Sequence, residues 1–174
     1  APFETYERGR KLPIFETPYG PIGIGICYDT YCFPEVCRAY AVRGVRLYLN
    51  PTAVPLGLEC NDEAELCMTM LGARCVENQM FIATAGIVGK DRVEGLGEVT
   101  LLGRSIILGP KAGYSSYQVY AGPASGTEEE IIMSELDLSA VSTSPLVSNI
   151  LSHRHPEMYA ELVVPGPGKG RVME

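Results

Sequence analysis

Three features of the chain predict an α/β fold: apolar segments with strand alternation, helix signals lying between them, and Gly and Pro at the junctions. In PIFETPYGPIGIGIC, residues 13–27, Ile14 and then Ile22, Ile24 and Ile26 favour extended backbone, with Pro18-Tyr19-Gly20 as the turn between two short strands. Cys27 closes the second strand. PEVCRAYAVRG, residues 34–44, is a helix punctuated at both ends. Pro34 suits its first position, Glu35 the positive end of the dipole, Arg43 the negative end and Gly44 the C′ site. Its expected apolar face is Val36, Ala39 and Tyr40. VRLYLNP then sets Val45, Leu47 and Leu49 against Arg46 and Tyr48, a strand ending at Asn50-Pro51.

The longest helix signal runs from 61 to about 79 and opens with Asn61-Asp62-Glu63. It carries Ala64, Cys67, Leu71 and Cys75 down one side. FIATAGIVG, from residue 81, is the next strand and completes the strand–helix–strand–helix–strand order. Beyond Gly89 the chain reads as Gly-punctuated strands at 104–110, 117–122 and 128–138. A short helix or loop follows to Tyr159, and then a Pro/Gly-rich tail over 160–174. No repeat and no linker divides residues 1–174, so one domain is expected.

Hydrophobic residues make up 46% and charged residues 20% of the chain, a globular balance. The net charge of -7, without a Lys/Arg cluster, argues against nucleic-acid or anionic-membrane partners and for a small molecule or protein. Cysteines at 27, 32, 37, 60, 67 and 75 form no CxxC pair, which fits reduced thiols in a cytoplasmic protein better than a zinc site or a disulfide scaffold. No apolar run approaches the roughly 18 residues of a membrane span, and APFETYERGRK lacks a signal layout. The first residue is Ala, which leaves room for an upstream segment.

Cys27 stands where a strand stops and a helix is about to begin. A thiol there projects from the sheet edge, with the Tyr28 N–H as an oxyanion donor and a nearby helix N-terminus favouring thiolate. Buried packing is the ordinary role of a cysteine among isoleucines, and it is the one expected for Cys32 and Cys37. His153 and His155, the chain's two histidines, would serve as a base only if the late segment folded back over Cys27. Their H-x-H spacing is a weak metal signal, and with Arg154 and Glu157 they read as anchors of that segment. The carboxylates Glu4, Glu7, Glu16, Glu59, Glu63 and Glu65 are candidate bases, most of them ordinary solvated charges. GPIGIG has the wrong glycine order for a dinucleotide loop.

The motifs together resemble one family. GPIGIGICYDTYCFPEVCRAYAVRGVRLYLNPTA is similar to the nucleophile region of the nitrilase superfamily, the carbon–nitrogen hydrolases. ARCVENQMFIATAG, GRSIILGPKAG, EEEIIMSELDLSAV and SHRHPEMY resemble further family blocks, in the family's order. The resemblance implies an α-β-β-α sandwich of which this chain is the C-terminal portion. It implies a Cys-Glu-Lys chemistry in which Cys27 attacks an amide or nitrile carbon and water releases the acid. Tyr28 supplies the backbone oxyanion donor, and Glu4, in FETYERG, is the counterpart of a second family glutamate. By family position Asn50, Pro51, Thr52 and Ala53 are substrate-binding candidates, with a plain Asn-Pro turn as the alternative. Asn78 is expected to be structural.

The family's first glutamate and its lysine lie farther upstream of the cysteine than this chain reaches. Lys11, which sits after the FETY block, is not given the lysine's role. Cys27-Tyr28-Asp29 resembles the amidase branches more than the Cys-Trp-Glu of true nitrilases. That favours amides or N-carbamoyl amines as substrates. The implied partners are a small amide-type substrate and further copies in a homodimer or higher homo-oligomer, with a separate N-terminal fragment as another way to complete the domain. No cofactor is implied. The alternatives are an inactive remnant or partner subunit acting through its surfaces, and a redox-sensing thiol protein. The latter is disfavoured because Cys27, Cys32 and Cys37 do not share one helix face.

Overall fold

A computed structural model describes residues 9–57, 62–93, 95–142 and 149–163. Its main sheet has six strands. β1 (Ile14–Phe15) and β2 (Ile22–Ile24) are the expected hairpin, pairing Ile14 with Gly23 and Phe15 with Ile22. β3 (Leu47–Thr52) runs parallel to β2, and β4 (Phe81–Gly86) runs parallel to β3. β7 (Ile106–Pro110) and β8 (Tyr117–Ala121) close the far edge in antiparallel fashion. A separate antiparallel hairpin, β5 (Val88–Val93) with β6 (Gly97–Leu102), projects beyond β4. This hairpin is not among the sequence-predicted elements.

The helices behave largely as their punctuation predicts. α2 (Pro34–Ala41) has Pro34 at its start, and Gly44, at φ 89°, closes it as a Schellman cap. There the Gly44 N–H donates to Ala41 O at 3.0 Å and the Val45 N–H to Tyr40 O at 3.1 Å. The buried face of α2 is Cys37, Tyr40 and Ala41, one position off the expected one, with Val36 and Ala39 half-buried at its margins. α3 (Glu63–Asn78) is capped by Asp62, whose carboxylate accepts the Glu65 N–H at 2.9 Å, and it ends in a left-handed Gln79. A five-residue helix, α1 (Tyr28–Cys32), directly after Cys27, is a further element the sequence did not announce.

α2 and α3 cover one face of the sheet. Tyr40, Leu71 and Cys75 from the helices meet Tyr48, Ile82, Ile106 and Leu108 from β3, β4 and β7. In β3 this reverses the expected phase. Tyr48, Asn50 and Thr52 are the buried set, and Leu47 and Leu49 lie half-buried on the opposite face. The strand also continues through Asn50-Pro51 to Thr52 instead of ending there, because parallel pairing with β4 carries on to Thr52 and Gly86. Residues 128–137 are not a strand. They run without ladder partners among the described residues, with Ile131 and Met133 exposed, and a 3-10 turn (Leu138–Ser142) follows. A second 3-10 segment (Pro156–Val163) takes in the first residues assigned to the tail, and 164–174 lie outside the described residues. Among the described residues no helix is long and apolar enough to cross a membrane.

Gly23 and Gly25 let the helix layer close on β2. A Cβ on Gly23 would stand 2.7 Å from the Tyr40 ring, and one on Gly25 would overlap the Tyr48 hydroxyl. Both tyrosines are fully buried. Gly25→Ala is therefore expected to lower stability by about 1–3 kcal/mol, the usual cost of overpacking, read as a lower urea midpoint with an unchanged slope.

Candidate active site

The C-terminal ends of the parallel strands β2, β3 and β4 lie side by side, the edge at which open α/β sheets place their ligands. Hydrogen bonding to β3 continues past β2: the Gly25 N–H donates to Leu49 O at 3.1 Å and the Cys27 N–H to Pro51 O at 2.9 Å. Cys27 is the N-cap of α1, and its carbonyl accepts from Thr30 N at 2.9 Å and Tyr31 N at 3.2 Å. Between these two sets of bonds its backbone is held at φ 45°, ψ -103°, a conformation costly for a residue with a Cβ.

The Cys27 side chain is half-buried, and its Sγ lies 3.9 Å from the Ala53 carbonyl, its hydrogen-bond partner among the described residues. The Tyr28 N–H sits at the first position of α1, where helix geometry supplies no intrahelical partner. The Tyr28 ring is exposed and meets Phe33 edge to face at 5.4 Å.

Behind Cys27 a buried polar network fixes α1 to the sheet. Thr30 Oγ1 has one proton, which it donates to Asn50 Oδ1 at 2.8 Å, and it is bonded to the Tyr48 hydroxyl at 2.9 Å. Asn50 Nδ2 donates to the Tyr31 hydroxyl and to Thr84 Oγ1, each at 3.3 Å. Arg74 on α3 closes the arrangement: Nε donates to Thr30 O at 3.1 Å, Nη2 to Tyr31 O at 3.0 Å, and Nη1 pairs with Glu77 at 3.1 Å. A guanidinium thus caps the carbonyl end of α1, where a positive charge is favoured.

Burial pushes the Tyr31 and Tyr48 phenols well above their ordinary range. It raises the Cys37 thiol to about 12, with Arg74 opposing the shift.

Of the substrate-binding candidates, Asn50 and Thr52 point into this interior, and Pro51 and Ala53 reach the surface beside Cys27. The Asn-Pro turn does not form. Asn78 Nδ2 donates to Arg74 O at 3.0 Å and Glu77 Oε1 at 3.3 Å, so it joins the network at the end of α3. Cys37 is packed as expected, but Cys32 is exposed because α1 ends there and turns it outward. Glu4, Glu7 and Glu59 lie outside the described residues. Glu16 is exposed, and Glu63 is buried, accepting the Gly57 N–H at 2.7 Å. His155 Nδ1 pairs with Glu157 at 2.9 Å on the surface.

The fold and its edge define an α/β protein that carries a thiol where the parallel strands end. This chain belongs to the carbon–nitrogen hydrolase family, whose profile matches residues 3–145. It is 30% identical over 156 residues to omega-amidase NIT2 of Bos taurus, covering 90% of this chain and 51% of that protein. It is 27% identical over 154 residues to N-carbamoylputrescine amidase of Oryza sativa subsp. japonica, covering 86% and 49%. The chain therefore spans about half the length of the curated relatives it matches.

Among solved structures, a mutant amidase from Nesterenkonia sp. AN1 superposes with TM-score 0.66 at 25% identity, covering 88% of this chain and 48% of that one. It carries the acetamide moiety of fluoroacetamide on its active-site cysteine. The carbon-nitrogen hydrolase of Helicobacter pylori G27 shares the fold, with TM-score 0.74 at 22% identity, covering 90% of this chain and 54% of that one. The α/β fold is thus of the nitrilase type.

Two outcomes follow from the network. Asn50→Leu removes the amide from Tyr31 and Thr84, at about 1–3 kcal/mol for each buried group left unpaired, while Thr30 keeps its contact with the Tyr48 hydroxyl. A total loss of about 2 kcal/mol or more is expected in urea denaturation. The buried thiol and phenols stay protonated in the folded chain but ionise in the unfolded chain once the pH passes their ordinary values. The unfolded state then binds fewer protons, so stability is full below about pH 9 and falls as pH rises towards 12. Urea midpoints compared between pH 8 and pH 11 read this, and Cys37→Ala should flatten part of the decline.

Proposed function

We propose that Cys27 is the nucleophile of an amidase-type hydrolase that cleaves non-peptide carbon–nitrogen bonds in amides or N-carbamoyl amines. The observation that carries the reading is the backbone of Cys27, held at φ 45° between the sheet edge and α1 with its sulfur half-exposed. Family membership supports the reaction class. The names of the omega-amidase and N-carbamoylputrescine amidase relatives support amide and carbamoyl substrates over nitriles. The cysteine adduct of the Nesterenkonia amidase supports covalent chemistry at sulfur.

In this mechanism the thiolate attacks the carbonyl carbon, and the negative charge moves to oxygen, where the Tyr28 N–H donates to it. Collapse breaks the carbon–nitrogen bond. The departing amine takes a proton from a glutamic acid and leaves a thioester on Cys27. The same glutamate then takes a proton from water, whose oxygen attacks the thioester carbon and expels the thiolate. That glutamate and an oxyanion-stabilising lysine come from polypeptide outside residues 1–174, and Glu4 is the second glutamate. Pro51 and Ala53 form the exposed wall beside the sulfur. The working molecule is a cytoplasmic homodimer or higher homo-oligomer that uses no cofactor.

A second reading, an inactive partner subunit, is favoured by one feature. Among the described residues no carboxylate or imidazole is hydrogen-bonded to Cys27 Sγ.

One pair of measurements separates the two. In the protein carrying its upstream polypeptide, Cys27→Ala should lower amide hydrolysis by about a thousandfold or more. Full activity in that variant would refute the nucleophile. With iodoacetamide at pH 8, Cys27 should be alkylated faster than Cys32, while Cys37 and Cys75 stay unmodified. Equal, slow reaction at Cys27 and Cys32 would favour the inactive subunit.

A further inference from the structure

The strand register sets an arginine level with the thiol. β3 pairs Thr52 with Gly86 of β4, and the Cys27 N–H donates to the carbonyl of Pro51, next to Thr52. β4 and β7 pair Thr84 with Ile106, and the Gly103 N–H, donating to Ile87 O at 3.0 Å, carries that register past the ladder and puts Arg104 opposite Gly86. Cys27, Thr52, Gly86 and Arg104 therefore form one row across the edge at which the parallel strands end. Three strand spacings separate the first from the last, about 14 Å between backbones.

Arg104 shares more with Cys27 than its level. Among the described non-glycine residues, Cys27, Gln79 and Arg104 have positive φ, and Gln79 merely closes α3. Arg104 stands at φ 56°, held by its N–H to Ser125 O at 3.1 Å. Such conformations need support from their surroundings and collect at functional edges. The Arg104 side chain is exposed and has no hydrogen bond or ion pair among the described residues. It borders a recess whose other polar walls are Tyr31, Thr52 and Thr84, so it lies on the stretch of the row that leads back to Cys27. At about 20 Å³ that recess is too small for a substrate, which has to lie over the row instead. Glu128, Glu129 and Glu130 line a different cavity with Ser105 and Ser125, and Glu130 already accepts the Ser125 N–H at 2.7 Å.

We propose that Arg104 is a specificity-determining residue that binds the carboxylate of an amide substrate whose carbonyl carbon sits at Cys27, so that the preferred acyl group is a short dicarboxylic acid held at both ends. This inference rests on the hydrolase reading above. A guanidinium offers a carboxylate a bidentate fork and repels a cationic amine in the same place. With a net charge of -7 the chain has no general attraction for anions, so selection for one has to come from a local group.

In the protein carrying its upstream polypeptide, kcat/KM for succinamate should exceed that for butyramide, its uncharged counterpart, by about tenfold or more. Arg104→Gln should remove most of this preference, mainly by raising KM for succinamate, and Arg104→Lys should keep part of it. Arg92→Gln, on the β5 hairpin, should keep all of it. An unchanged ratio in Arg104→Gln, or a wild type without the preference, overturns the assignment. A second readout does not depend on turnover. At constant ionic strength, sodium succinate should slow the alkylation of Cys27 by iodoacetamide in the wild type and not in Arg104→Gln. If neither amide is hydrolysed, it is the hydrolase reading that fails, and this protection alone decides Arg104: its absence, or equal protection in Arg104→Gln, overturns the carboxylate site.

Discussion

The attachment of α1 to the sheet through the Thr30 hydroxyl is the constraint on which the geometry at Cys27 depends. A hydroxyl has one proton to give, and Asn50 Oδ1 at 2.8 Å is a nearer acceptor for it than the Gly25 carbonyl at 3.3 Å, which leaves the oxygen to meet the Tyr48 phenol at 2.9 Å. That choice orients the Asn50 amide, so its Nδ2 turns to Tyr31 and Thr84. Three segments, α1, β3 and β4, are thereby held in one relative position. An apolar core of similar shape would fix the distances between them but not the rotation of α1 about its own axis. Directional bonds in a water-free interior do both, provided each member is satisfied.

A backbone conformation at Cys27 that costs on the order of 1–3 kcal/mol must be held by its surroundings. The bonds on either side do so. The Cys27 N–H is tied to Pro51 O, and its carbonyl accepts two N–H groups of α1. Beyond them Arg74 takes the carbonyls of Thr30 and Tyr31 in charge-assisted hydrogen bonds, each worth about 1.5–3 kcal/mol net. Relaxing Cys27 into an ordinary region would require α1 to turn, and α1 cannot turn without giving up the Arg74 and Asn50 bonds together. The conformation that lifts the sulfur out of the strand is therefore stored in the helix behind it, not in the loop in front.

The elements most legible in the sequence were those bounded by residues with one strong conformational role. Pro34 and Gly44 bracket α2, Asp62 caps α3, and Pro18-Tyr19-Gly20 turns the first hairpin. The phase of β3 was read backwards, because hydropathy ranks leucine above tyrosine and asparagine. Tyr48 and Asn50 take the interior here because each finds a buried partner. Arg74 escaped notice for the same reason, although it shares the spacing of Leu71, Cys75 and Asn78 and so lies on the buried side of α3. Residues 128–137 show the opposite failure. Ile132 and Leu136 are half-buried and Ile131 and Met133 exposed, but Ser134 is exposed as well, so no regular alternation runs along the segment, and no ladder forms on it among the described residues. Apolar residues in a row report what a segment can pair with, not whether a partner is present.

The two faces of the sheet therefore carry separate tasks. Gly23, Tyr48, Asn50 and Thr84 look towards the helices, and the side-chain network that fixes α1 lies on that side. Ile22 and Ile24 of β2 register with Leu47 and Leu49 of β3 on the other face, where all four are half-buried, and Ile26 and Ile87 are exposed near the strand ends. Among the described residues the side-chain bonds that hold α1 stay on the helix side of the sheet. In the proposed hydrolase a base would reach the sulfur from the open side, because the side behind it is occupied by Tyr31, Asn50 and Arg74 with their donors and acceptors already committed. On that reading the packing holds the thiol from behind and leaves its exposed edge to the group that activates it.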